Sequence, residues 1–117
     1  MNIEAFRDYC MAKPAVTDGF PFDESTLVFK VEGKMFALVN VDLYDFANLK
    51  CDPEWAVQLR EEHEGISPGY HMNKKHWNSV DTKGLISDKM LIKLIDHSYD
   101  LVVLSLPKKI REVLRKG

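Results

Sequence analysis

Between Leu27 and Cys51 the chain passes through three short apolar runs, and this stretch constrains the fold most. Leu27, Phe29 and Val31 alternate with Lys30 and Glu32, and Gly33 marks a tight turn. Met35 to Val41 is a second run, and Phe46 to Cys51 a third. A period of two closed by a turn glycine predicts strands, and their short repeats predict an antiparallel meander rather than βαβ units. Asp52-Pro53-Glu54 then predicts a helix start: an N-cap carboxylate, a proline where the missing N–H costs nothing, and an acid at the positive end of the dipole. Trp55, Ala56 and Leu59 give that helix its apolar face, and Gly65 stops it.

The flanks supply helices. Asn2 can cap a first helix in which Ile3, Phe6 and Cys10 fall at helical spacing, with Pro14 just past its end. Ser67-Pro68-Gly69 is a turn, and Tyr70–Val80 is expected to be a strand pair or a strand with a loop. Ser87 caps the longest helix, whose buried stripe is expected at Leu91, Leu94, Ile95, Ser98, Leu101 and Val102. Pro107 breaks it, and a short basic helix follows from Lys108 to Lys116. The order α, several β, α, β, α predicts an α+β domain with helices packed on an antiparallel sheet.

A chain of 117 residues is one domain by length and buries enough surface to fold without disulfides or metals. No apolar run approaches the roughly 18 residues of a membrane span, so no membrane partner is expected. Glu4, Arg7 and Asp8 make the N-terminus unlike a signal peptide. Cys10 and Cys51 stand outside any CxxC pattern and read as small buried side chains in a reducing compartment, the cytoplasm, and separately a monomer is expected. The net charge of −2 hides an asymmetry. Residues 1–64 hold 6 Lys/Arg against 13 Asp/Glu (6 − 13 = −7), and residues 65–117 hold 10 against 5 (10 − 5 = +5). Such segregation can steer a polyanion to one region, unless the fold mixes both halves over the surface.

Most catalytic chemistry is refused. Gly65-Ile66-Ser67-Pro68-Gly69 matches GxSxG, but Pro68 has no N–H to lend an oxyanion hole, and the segment follows a helix rather than a strand. His71 and His76 are five apart and would point to opposite faces of a strand, with no HExxH or paired-cysteine spacing beside them. No glycine-rich phosphate cradle is present. No catalytic residue, metal or cofactor is assigned, and no enzyme is expected. Glu61-Glu62-His63-Glu64 is a solvated helix end or, more sharply, a contact for a partner with basic groups.

The densest stretch is PGYHMNKKHWNSV, Pro68 to Val80. Lys74, Lys75 and His76 offer cations, Asn73 an amide, and Tyr70 and Trp77 aromatic faces, which together could hold phosphates and stack on bases. Lys108, Lys109, Arg111, Arg115 and Lys116 could add phosphate contacts. By composition alone the same residues read as core aromatics beside an exposed lysine loop that protects a sheet edge.

At these positions the chain resembles the MmcQ/YjbR family of small bacterial proteins. The resemblance is carried by Phe29-Lys30-Val31, Gly33-Lys34-Met35-Phe36, Leu49-Lys50-Cys51-Asp52-Pro53-Glu54, Pro68 to Lys74 with His76-Trp77, Ile86-Ser87-Asp88, Leu94-Ile95 and Ser98-Tyr99. It implies a frataxin-like (CyaY-like) α+β fold and binding of double-stranded DNA through a double wing. The wings would correspond to the turn at Gly33-Lys34 and the loop from Asn73 to His76. On that reading Lys74, Lys75 and His76 contact phosphate, with Lys34 and Lys50 secondary. Tyr70 and Trp77 pack or stack, His71 lies in the same block, and Asn73 donates to phosphate or orients the loop. Iron binding, the other function a frataxin likeness suggests, is disfavoured, because the first helix offers only Glu4 and Asp8 against Arg7 and Lys13. The competing expectation is a protein-interaction module without enzymatic activity, using the same face or the acidic helix end after Leu59.

Overall fold

The computed structural model describes the backbone of residues 1–116 and the side chains through Arg115. Helix α1 (Ile3–Met11) starts as its sequence dictates, with the Asn2 side chain accepting the Ala5 N–H at 2.8 Å. Strands β1 (Val16–Gly19), β2 (Thr26–Val31), β3 (Lys34–Asn40) and β4 (Phe46–Lys50) follow as an antiparallel meander. The chain then leaves the sheet for α2 (Pro53–Glu62), where Asp52 accepts the Trp55 N–H at 3.2 Å. It returns as β5 (Ile66–Pro68) and β6 (Trp77–Asp81), and closes with α3 (Asp88–Leu104) and α4 (Lys108–Lys116).

The sheet order is β1-β2-β3-β4-β6-β5. The meander therefore fails after β4: α2 carries the chain past the sheet edge, β5 forms a new edge, and β6 fills the gap between them. The α+β class and the antiparallel sheet of the expectation hold in this topology. Two strands were not foreseen. β1 is short and polar, and Ser67-Pro68, expected in a turn, lies in β5, where an edge position tolerates a proline that cannot donate to a ladder.

All the helices contribute to one core on one face of the sheet, where Phe6, Phe29, Phe36, Leu49, Ile95 and Val102 are essentially fully buried. Phe36 is the extra residue of a β-bulge, since Phe29 pairs with Ala37 but Lys30 with Met35. Ser98 of α3 repairs the ladder there: its buried hydroxyl donates to the Phe36 carbonyl and accepts the Lys50 N–H at 2.9 Å. The α3 stripe is as expected except that Leu101 is only half-buried and Tyr99 is buried in its place.

His97 joins α3 to α2. Its Nε2 accepts the Asp52 N–H at 3.0 Å, and its ring stands edge-on to Trp55 at 4.6 Å. Burial lowers the His97 pKa from its ordinary 6.5, outweighing the pull of Asp52 and Asp100 in the other direction. A lowered folded-state pKa means the neutral ring stabilises the fold above pH 6.5 and that this contribution is lost as pH falls below it. Thermal unfolding followed by circular dichroism is expected to show a midpoint that drops through that range, with a flatter drop in His97→Gln. An identical slope in the variant would assign the effect to the carboxylates instead.

Candidate binding cleft on the open face of the sheet

Among the described residues no helix packs on the other face of the sheet. Val28 and Leu38 project from its centre, and with Trp77 they form a second small cluster that Met35 and Met72 complete. What covers this face is the connection between β5 and β6. After Pro68 the chain turns back over the strands: the Gly69 N–H donates to the Trp77 carbonyl at 2.8 Å and the Tyr70 N–H to Ser79 Oγ at 2.9 Å. Ser79 Oγ in turn donates to Asn48 Oδ1 at 2.7 Å, so two strand residues whose polarity reads as solvent-facing are buried beneath the loop. A Cβ on Gly69 would meet Trp77 Cβ at 2.8 Å, so this close approach requires glycine.

Arg60 of α2 fastens the far end of the loop. Its Nε donates to Asn78 Oδ1 at 2.6 Å, and its guanidinium also reaches the carbonyls of Lys74 and, at 3.3 Å, Trp77. Asn73 shapes the turn, its Oδ1 accepting the N–H groups of Lys75 at 2.9 Å and His76 at 3.3 Å. The role of Arg60 is not visible in the sequence, because it lies on another element and only the fold brings it to the loop.

Between this loop and the β1–β2 and β3–β4 connections lies a cleft of about 750 Å³. Its floor is Leu38, Asn48 and Met35, and its walls include Phe22, Leu43 and Tyr70, each about three-fifths exposed. Tyr70 stands edge-on to Phe46 at 5.9 Å, and His71, held at a positive φ of 57°, packs against it with ring centres 4.1 Å apart. A smaller recess of about 410 Å³ lies along β6 and β5 and shares Asp45, Phe46 and Tyr70 with the cleft.

The expected contact residues are divided by this geometry. Tyr70 and His71 belong to the cleft, and Trp77 is buried at 8% exposure, so it packs rather than stacks on a ligand. Asn73 orients the loop. Lys74 and Lys75 are exposed, although Lys74 Nζ donates to the Gly69 carbonyl at 3.1 Å. His76 is half-buried beside them, and Lys50 pairs across the ladder with Trp77. Lys34 is not part of this group, because its ammonium reaches Ser105 at the end of α3. Lys108, Lys109, Arg111 and Arg115 lie on α4, and the Lys116 side chain lies outside the described residues.

Among the described residues no three His, Cys, Asp or Glu side chains converge as metal ligands would, and no helix is long and apolar enough to cross a membrane. Burial pushes the Cys10 thiol up to about 12 and Cys51 up to about 11, which leaves neither as a thiolate nucleophile near neutral pH.

The YjbR family model matches residues 11–101. The Escherichia coli K12 protein YjbR is 36% identical over 97% of this chain and 98% of its own length. YbdF of Escherichia coli O157:H7 is 38% identical over 97% and 94%. Among solved structures, the DUF419 domain of Deinococcus radiodurans protein DR2400 superposes with a TM-score of 0.91 at 38% identity, covering 97% of this chain and 87% of that one. A Pseudomonas syringae protein superposes with a TM-score of 0.74 at 32% identity, covering 86% and 98%. The DUF419 likeness supplies the fold and replaces the frataxin-like assignment.

Proposed function

This chain belongs to the MmcQ/YjbR family, and on that premise we propose that it is a protein-interaction module that receives a segment of a partner polypeptide in the cleft beside Tyr70. The observation that supports this reading is the placement of its exposed apolar side chains. Eight large hydrophobic residues are exposed among the described residues, and five of them, Phe20, Phe22, Leu43, Tyr70 and Leu85, line recesses on or beside the open sheet face. Leaving such groups in water costs hydrophobic free energy that a partner recovers, and a clustered patch of this kind marks an interaction surface. The module acts without catalysis and as a monomer in the cytoplasm, where Cys10 and Cys51 remain free, buried thiols.

Duplex DNA is the competing occupant. It would draw on the exposed Lys74 and Lys75, since phosphate neutralisation carries most nonspecific affinity. Amide NMR titration with a short mixed-sequence duplex at low salt separates the two. The expected result is no shift at Phe46, Tyr70 or His71. Shifts centred on Lys74 to Trp77 that fade with salt and disappear in Lys74→Glu/Lys75→Glu would overturn the protein-binding reading. A photo-crosslinking amino acid placed at Leu43 is expected to yield discrete polypeptide adducts in cells that are lost on Tyr70→Ser, whereas adducts unchanged by Tyr70→Ser would count against the cleft.

A further inference from the structure

We propose that the segment taken by the cleft carries a cation, an ammonium or guanidinium group held beside an apolar or aromatic anchor. This deepens, and rests on, the reading of the cleft as a polypeptide-binding surface. The charge of the lining is one-sided. Asp23 and Asp45 line the main cleft, and Asp45, Glu64 and Asp81 line the adjoining recess, while among the described residues no lysine or arginine lines either. The anionic first half of the sequence is thus not averaged out over the fold on this face.

These carboxylates are not equivalent. Asp23 accepts the N–H groups of Ser25 at 2.8 Å and Thr26 at 2.7 Å, which hold its pKa below the usual carboxylate range and commit it to shaping its own turn. Asp81 is occupied similarly, accepting the N–H groups of Lys83 and Leu85 at 2.9 Å each. Asp45 differs: the described contacts use its carbonyl, which accepts the Thr82 N–H at 3.1 Å, and give its carboxylate no hydrogen bond or ion pair. It is half-buried, borders both recesses and adjoins Phe46, whose ring meets Tyr70 edge-on. A cation seated there gains a carboxylate in a partly desolvated site together with the electron-rich faces of two aromatic rings. Glu64, exposed at the end of the acidic run after α2, adds long-range attraction to the same spot. An anionic ligand meets the same carboxylates as repulsion.

The test uses three probes that share one apolar body: phenylbutylamine, phenylbutanol and phenylbutanoate, titrated separately at low salt into the full chain and followed by the amide shifts of Phe46, Tyr70 and His71. The amine is expected to bind roughly fivefold to tenfold more tightly than the alcohol, the combined scale of a partly exposed ion pair and a cation–π contact. The carboxylate is expected to bind most weakly. In Asp45→Asn the amine should lose the ion-pair share of its advantage and keep only the smaller cation–π share, while the alcohol is unchanged, and added salt should act in the same direction. Glu64→Gln, at an exposed position, is a second variant with a smaller loss in the same direction, and it serves if Asp45→Asn disturbs the turn to Thr82. Equal affinity for all three probes would overturn the cation preference and leave the cleft standing. No shift with any of them at millimolar concentration would overturn the cleft itself.

Discussion

Phe36→Ala is expected to lower the unfolding free energy by about 3–5 kcal/mol, the range for truncating a fully buried phenylalanine. Phe36 has no exposed surface, and its ring stands edge-on to Tyr99 at 5.4 Å and tilted to Phe29 at 6.4 Å. The cost should sit at the high end, because the cavity cannot readily collapse. The bulge that places Phe36 is pinned from the far side by Ser98, whose hydroxyl holds the Phe36 carbonyl and the Lys50 N–H together. Domains of this size are stable by about 5–15 kcal/mol, so the variant should lie near the limit of folding at physiological temperature. Urea denaturation checks this: a lower midpoint at unchanged m-value is the expected result. A loss below about 2 kcal/mol would mean that the bulge relaxes to fill the space.

Arg60→Ala is expected to cost about 2–3 kcal/mol and to loosen the loop from Gly69 to His76. The substitution leaves Asn78 Oδ1, in a side chain 2% exposed, without the arginine, and frees the Lys74 and Trp77 carbonyls. Arg60→Lys should restore little, since an ammonium cannot present the planar fork that reaches these acceptors together. Hydrogen exchange supplies the local readout. The amides of Met72, His76 and Trp77, which donate within the loop, should exchange faster while those of β2 and β3 keep their protection. Because Tyr70, His71 and Met72 line the cleft, probe binding should weaken in parallel. Unchanged loop exchange would show that the Asn73 turn and the Tyr70–Ser79 hydrogen bond suffice without Arg60.

The residues most legible in the sequence were those whose partners lie within one turn. Asn2, Asp52 and Ser87 each cap the helix expected of them by accepting an N–H three residues on, at 2.8, 3.2 and 3.1 Å. The strands from Leu27 to Lys50 followed from alternation, and Pro107 ended α3 as expected. The dense block after Pro68 stands out in the sequence, but the packing around it does not. Trp77 and Asn73 serve the loop's own structure, Lys34 is engaged at the other face, and the site gained Phe22, Leu43, Asp45 and Asn48, which no local pattern marks.

The sequence by itself determined the α+β class, the helix starts and the faces that are buried, because capping, turn chemistry and periodicity act between residues a few positions apart. It also determined family membership, through residues spread in order along the chain. Only the tertiary structure decided that β6 inserts between β4 and β5, that among the described residues no helix packs on one face of the sheet, and that the loop after Pro68 folds over that face. Those outcomes depend on contacts between distant elements, such as Arg60 with Lys74 and Asn48 with Ser79, whose residue types look solvent-facing until the fold buries them. A cleft is the space between such elements, and its lining exists only once they have packed.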